Sequence, residues 1–70
     1  MNKVDLHGTK HKEVLDVLLE CINEWETPFI VITGKSIEMK REVARAVEQF
    51  GLSARDSIGN PGRVIIYEKR

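Results

Sequence analysis

Phe29-Ile30-Val31-Ile32, followed at once by Thr33-Gly34-Lys35-Ser36, sets four consecutive apolar residues against a turn that opens a helix. A short, continuous, β-branched run of this kind predicts an interior strand. Upstream, Lys3 to His7 alternates instead, with Val4 and Leu6 on one face and Lys3, Asp5 and His7 on the other. That is the pattern of a strand covered on one side. Between the two, Val14, Leu15, Leu18, Cys21, Ile22 and Trp25 recur at three- and four-residue spacing over Lys10 to Glu26. Glu13, Asp16, Glu20 and Glu24 form the opposite, wet stripe, so a helix is predicted. Thr9 is its expected cap, and Thr27-Pro28 its stop.

Downstream, a second helix is predicted to start over Gly34 to Ser36. Met39, Val43, Ala46, Val47 and Phe50 make its apolar stripe, and Gly51 its C-terminal cap. Leu52 to Ile58 reads as a weak, polar strand, Gly59-Asn60-Pro61-Gly62 as a turn, and Val64 to Tyr67 as a closing strand. The order β-α-β-α-β-β implies one parallel βαβ unit and an antiparallel pair. So short a chain is expected to place both helices on one face of a mixed four-stranded sheet, a two-layer α/β sandwich. Strand order stays open.

Composition narrows the function classes. The 70 residues, 1–70, are read as a single domain, and a chain near this size buries only about 60% of its unfolded surface. A deep, enclosed substrate pocket is not expected. Eleven basic and eleven acidic residues cancel, so bulk charge favours no partner, and placement matters instead. A lone cysteine, Cys21, excludes an internal disulfide and a cysteine cage for zinc, which fits a reducing compartment. No apolar run approaches the roughly 20 residues that cross a bilayer, and MNKVDLHG lacks a leader's apolar stretch. A soluble, cytoplasmic protein with no membrane partner is expected.

Charge placement is the clearest physical clue. A helix favours acids in its first turn and bases in its last. The first helix does the reverse, with Lys10, His11 and Lys12 at its start and Glu20, Glu24 and Glu26 towards its end. Lys35 precedes the second helix, which carries Lys40 and Arg41 early, partly offset by Glu38. Either these are long, solvated lysines or a bound anion compensates them. Two parallel strands would bring both helix starts to one sheet edge, and such starts suit phosphate.

Asp5 and His7 share a strand face and emerge together at its end. A carboxylate can bind a divalent metal or orient an imidazole, and an imidazole moves protons near neutral pH. The alternative is an aspartate that only hydrogen-bonds backbone groups of a tight turn. Gly34-Lys35-Ser36 has the end of a Walker A loop, but the first glycine of that motif would fall on Phe29. His7 and His11 are four apart but not on one helix, which removes the two-histidine zinc logic. Cys21 and Trp25 are expected in the core. Phe29 and Tyr67 are candidates for base stacking on the helix-free face, or for packing and self-association there.

These residues resemble the Smr domain, the small MutS-related module. Val4-Asp5-Leu6-His7-Gly8 matches its LDLHG motif with one conservative change. Ile32-Thr33-Gly34-Lys35-Ser36 lies where the family has HGxG, and Gly59-Asn60-Pro61-Gly62 before Val64-Ile65-Ile66 resembles its closing turn and strand. The resemblance spans the chain and implies a fold similar to the C-terminal domain of translation initiation factor three. It also implies work on DNA or RNA, as a binding domain or a nicking endonuclease. Carried over by position, Asp5 and His7 are the candidate catalytic pair. Gly34 and Lys35 belong to the substrate-contacting loop. With the charged helix starts, the expected nucleic-acid-binding set is Gly8, Lys10, Lys12, Thr33, Gly34, Lys35, Ser36 and Lys40. Asp5 is the expected ligand if Mg2+ or Mn2+ takes part. Thr33 stands for the family's histidine and Ser36 for its last glycine, departures that bear on catalysis more than on binding.

Three functions follow as expectations: strand cleavage by a hydrolase, binding without turnover, and a protein-interaction or dimer module. The oligomeric state expected is monomer or weak homodimer.

Overall fold

The computed structural model describes residues 1–69. The elements run β1 (Lys3–Asp5), α1 (His11–Glu24), β2 (Phe29–Ile32), α2 (Ile37–Glu48), β3 (Leu52–Ser57) and β4 (Asn60–Glu68). They form one mixed four-stranded sheet in the order β1-β2-β4-β3. β1 pairs parallel to β2, while β4 runs antiparallel to both β2 and β3. The α/β sandwich expected from the chain is therefore present, with β2 and β4 interior.

One core joins both helices to one face of the sheet. Val14, Leu18 and Cys21 of α1 and Met39, Val43, Ala46 and Val47 of α2 meet Phe29, Val31, Val64, Ile66 and Leu52. Leu6, just past β1, is sealed under the same layer. The continuous apolar run of β2 divides cleanly: Phe29 and Val31 are buried under the helices, while Ile30 and Ile32 are half-buried on the opposite face. Trp25 closes the end of α1 with its ring edge-on to Phe29, centroids 5.5 Å apart.

Several boundaries differ from expectation. Thr9 does not cap α1: Lys10 holds the cap position and makes no side-chain cap bond. The helix ends at Glu24, and Leu15 lies 38% exposed while Val17 packs on the core instead. Phe50 falls beyond α2 and is exposed. Phe29 is fully buried, so of the two proposed stacking aromatics only Tyr67 is on the helix-free face. The hairpin turn is Ile58-Gly59, with Gly59 at φ 77°, rather than the whole of Gly59 to Gly62. Asn60, Pro61 and Gly62 belong to a longer β4, and β3 is paired along its entire length. Pairing of Ser57 with Asn60 but Asp56 with Val64 leaves Pro61 to Arg63 as extra residues on β4. They bulge from the β3 side.

Candidate nucleic-acid interface

Parallel pairing of β1 and β2 puts both of their C-terminal ends, and so the starts of α1 and α2, at one sheet edge. Because β4 is antiparallel to β2, the β3–β4 hairpin reaches that edge too. Three loops therefore meet there.

The first is the turn Leu6-His7-Gly8-Thr9. Leu6 N–H donates to the Ile32 carbonyl at 2.8 Å, extending the parallel pairing, and Thr9 N–H donates back to the Leu6 carbonyl at 2.9 Å. Gly8 takes the third turn position at φ 81°, where a side chain would be strained. Asp5 Oδ1 accepts the His7 backbone N–H at 2.9 Å. Among the described residues the carboxylate makes no hydrogen bond to the His7 ring. Asp5 thus makes the backbone contact expected of a tight turn.

The second loop, Thr33 to Ser36, is held from the β4 bulge. The Gly62 carbonyl accepts both Thr33 N–H at 2.9 Å and Gly34 N–H at 3.1 Å. Gly62 N–H in turn donates to Asn60 Oδ1 at 3.2 Å, which shapes the bulge. Thr33 is 1% exposed, and its hydroxyl donates to the Gly34 carbonyl at 2.7 Å. Its side chain braces the loop from inside and is shielded from any ligand. Ser36 caps α2, its Oγ accepting Met39 N–H at 3.1 Å. Gly34 sits at φ +67°, and a Cβ there would stand 2.7 Å from His7 Cδ2. The exposed imidazole thus lies across the Gly34 backbone, and the two motif turns touch.

Around this contact the remaining cations divide. Lys40 Nζ is engaged by Asp56 at 3.2 Å, and His11 Nδ1 stands 3.9 Å from Glu42 Oε1. Lys10, Lys12 and Lys35 are exposed and have no carboxylate within ion-pair distance among the described residues. Gly8 is exposed as well, and Gly34 half-exposed. Sequence reading overlooked Arg63. Cross-strand pairing aligns Asp5, Ile32 and Arg63 in one row over the helix-free face, so the guanidinium-bearing residue joins the same edge. Gly62 was read only as part of a turn. No periodicity in the chain announces either role, since both depend on the register of β4.

A metal fits this edge poorly. Asp5 offers one carboxylate, already sharing an oxygen with a backbone amide, and among the described residues no group of three His, Cys, Asp or Glu converges. Mg2+ bound to phosphates can manage with one or two carboxylates. Among the described residues no helix is long and apolar enough to cross a membrane.

No protein-family model matches this chain, and no curated protein matches it either.

Proposed function

We propose that this chain is an Smr-like domain that binds DNA or RNA at the edge formed by the His7–Gly8 turn, the Gly34–Lys35 loop and the β4 bulge. One observation carries the reading: His7 packs on Gly34, so two helix starts, the exposed Lys10, Lys12 and Lys35 and the half-buried Arg63 share a single surface. Helix N-termini and unpaired cations together attract phosphate, and the exposed backbone at Gly8 allows close approach. The protein acts in the cytoplasm, as a monomer or weak homodimer, in keeping with its single buried thiol.

Binding without turnover is favoured over strand cleavage by the bond from His7 N–H to Asp5. That bond uses the aspartate to set the turn, and among the described residues no carboxylate is hydrogen-bonded to the imidazole. Should cleavage occur, His7 is the group placed to move a proton to or from a phosphate on this edge, with Asp5 positioning it through the turn.

The test is titration of a labelled duplex and a structured RNA at low and moderate salt, alongside plasmid nicking with and without Mg2+ or Mn2+. Affinity should drop steeply with salt, because releasing counterions into a saltier solution gains less entropy. Reversing Lys10, Lys12 and Lys35 to Glu together should abolish it. Equal binding by parent and triple variant would move the site elsewhere. Nicking lost in both Asp5→Ala and His7→Ala would instead assign catalysis.

A further inference from the structure

Among the described residues no layer covers the second face of the sheet. Cross-strand pairing places Lys3, Ile30, Ile32, Arg55, Arg63, Ile65 and Tyr67 there, beside Asp5. Ile30, Ile32 and Ile65 are only half-buried, and Tyr67 is 37% exposed. The Arg55 guanidinium lies 5.4 Å from the centre of the Tyr67 ring, a cation–π distance. Next to that ring is a shallow groove of about 520 Å3, walled by Pro28, Arg55, Ile65 and Tyr67, with Glu68 at its rim.

We infer that this face receives a single-stranded stretch of nucleic acid, its bases lying on Tyr67, Arg55 and Ile65 and its phosphates meeting Arg55, Arg63 and Lys3. The inference rests on the nucleic-acid reading above and extends it from the edge onto the sheet.

Charge selects this occupant over a second copy of the chain. The face carries three cations against Asp5 and the Glu68 at its rim, in a protein whose overall charge is zero. A twofold self-contact would set one net-positive patch against its own copy, because such an interface presents one patch to itself. A polyanion with planar, apolar bases complements both the charge and the exposed apolar strip. Continuity supplies the second argument. Arg63 and Asp5 stand in the row that ends at the proposed edge, so a strand leaving the phosphate-binding turns runs directly onto the sheet. The flat face also suits single strands better than duplex, whose bases are already stacked on each other.

The experiment compares an oligonucleotide of about ten nucleotides, carrying 2-aminopurine, with a blunt hairpin duplex, both by fluorescence. Parent protein should bind both and change 2-aminopurine emission in the single strand. Tyr67→Leu and Arg55→Gln should each weaken single-strand binding about ten-fold and leave duplex binding unchanged. Tyr67→Phe should retain it, and Lys35→Glu should weaken both ligands. Thermal melting of each variant guards against misfolding, and Arg55→Gln, at an exposed position, carries the test if Tyr67→Leu does not fold. Single-strand binding indifferent to both face variants overturns the inference while the edge reading stands. Binding to neither ligand by the parent overturns both. A dimer in sedimentation equilibrium that Tyr67→Leu disperses would assign the face to self-association instead.

Discussion

His7 lies on Gly34: the imidazole occupies the space where a side chain at position 34 would begin, 2.7 Å from its Cδ2. This contact locks the turn after β1 to the loop after β2. It also explains why glycine stands at a position that already needs φ +67°. Gly34→Ala should therefore lose stability twice, once from left-handed strain of about 1 kcal/mol and once from collision with the ring. In a urea-denaturation double-mutant cycle with His7→Ala, the collision part should be recovered and the strain retained. Additive losses would remove the contact.

Ser36 acts through the helix it starts. Replacing it with alanine removes the acceptor for Met39 N–H and should cost about 1 kcal/mol. Ser36→Asp should restore most of the loss. Thermal or urea unfolding measures both. A loss of nucleic-acid binding by the folded Ser36→Ala protein, with unchanged stability, would show a direct contact instead.

Thr33 gives the complementary case. Its hydroxyl is buried and bonded to the Gly34 carbonyl, so Thr33→Val should destabilise by roughly 1 kcal/mol and weaken binding only as far as the loop loosens. Thr33→His should be worse, since a 1% exposed position under the loop leaves the larger ring no room.

Cys21 sets the pH dependence of stability that the core contributes. Burial, reinforced by the charges of Glu20 and Glu24, pushes its thiol above the ordinary range. The native state thus favours the neutral thiol. This contribution is complete below the unfolded thiol's value of about 8.5 and is lost as pH rises towards the raised one. Denaturation midpoints should fall on the alkaline side in the parent and fall less in Cys21→Ala, after allowance for the cavity. The folded protein should also react slowly with iodoacetamide.

Arg63 and Lys40 separate two kinds of cation. Arg63 has no carboxylate within ion-pair distance among the described residues, whereas Lys40 Nζ is held by Asp56 at 3.2 Å. Arg63→Gln should lower the slope of log affinity against log salt by about 1 if it meets a phosphate. Lys40→Gln should change that slope less. The reverse order would shift the interface from the sheet edge towards α2.

Much of this molecule was legible from local pattern. The 3.6-residue recurrence of Val14, Leu18 and Cys21, and of Met39, Val43 and Val47, announces two helices with one buried stripe each. The alternation over Lys3 to His7 and the dense run Phe29 to Ile32 announce an outer and an inner strand. The turns at Gly8 and Gly34 were placed for the same reason: backbone conformations there exclude side chains, and the chain supplies none. Local pattern was a poorer guide to Thr9, Leu15, Phe50 and the β3–β4 turn. At each of these, packing or pairing with a distant element outweighed the propensity of the residue itself.

What the sequence by itself determined is the set of elements, their order, and a charge arrangement that runs against the helix dipoles. Those follow from periodicity and turn chemistry, which act over a few residues. Only the tertiary structure decided that β4 lies between β2 and β3, that Gly62 holds the Thr33–Gly34 loop, and that Arg63 stands in line with Asp5. Strand order and register arise from pairing between segments some 30 residues apart in the chain, and no local rule encodes which partner wins.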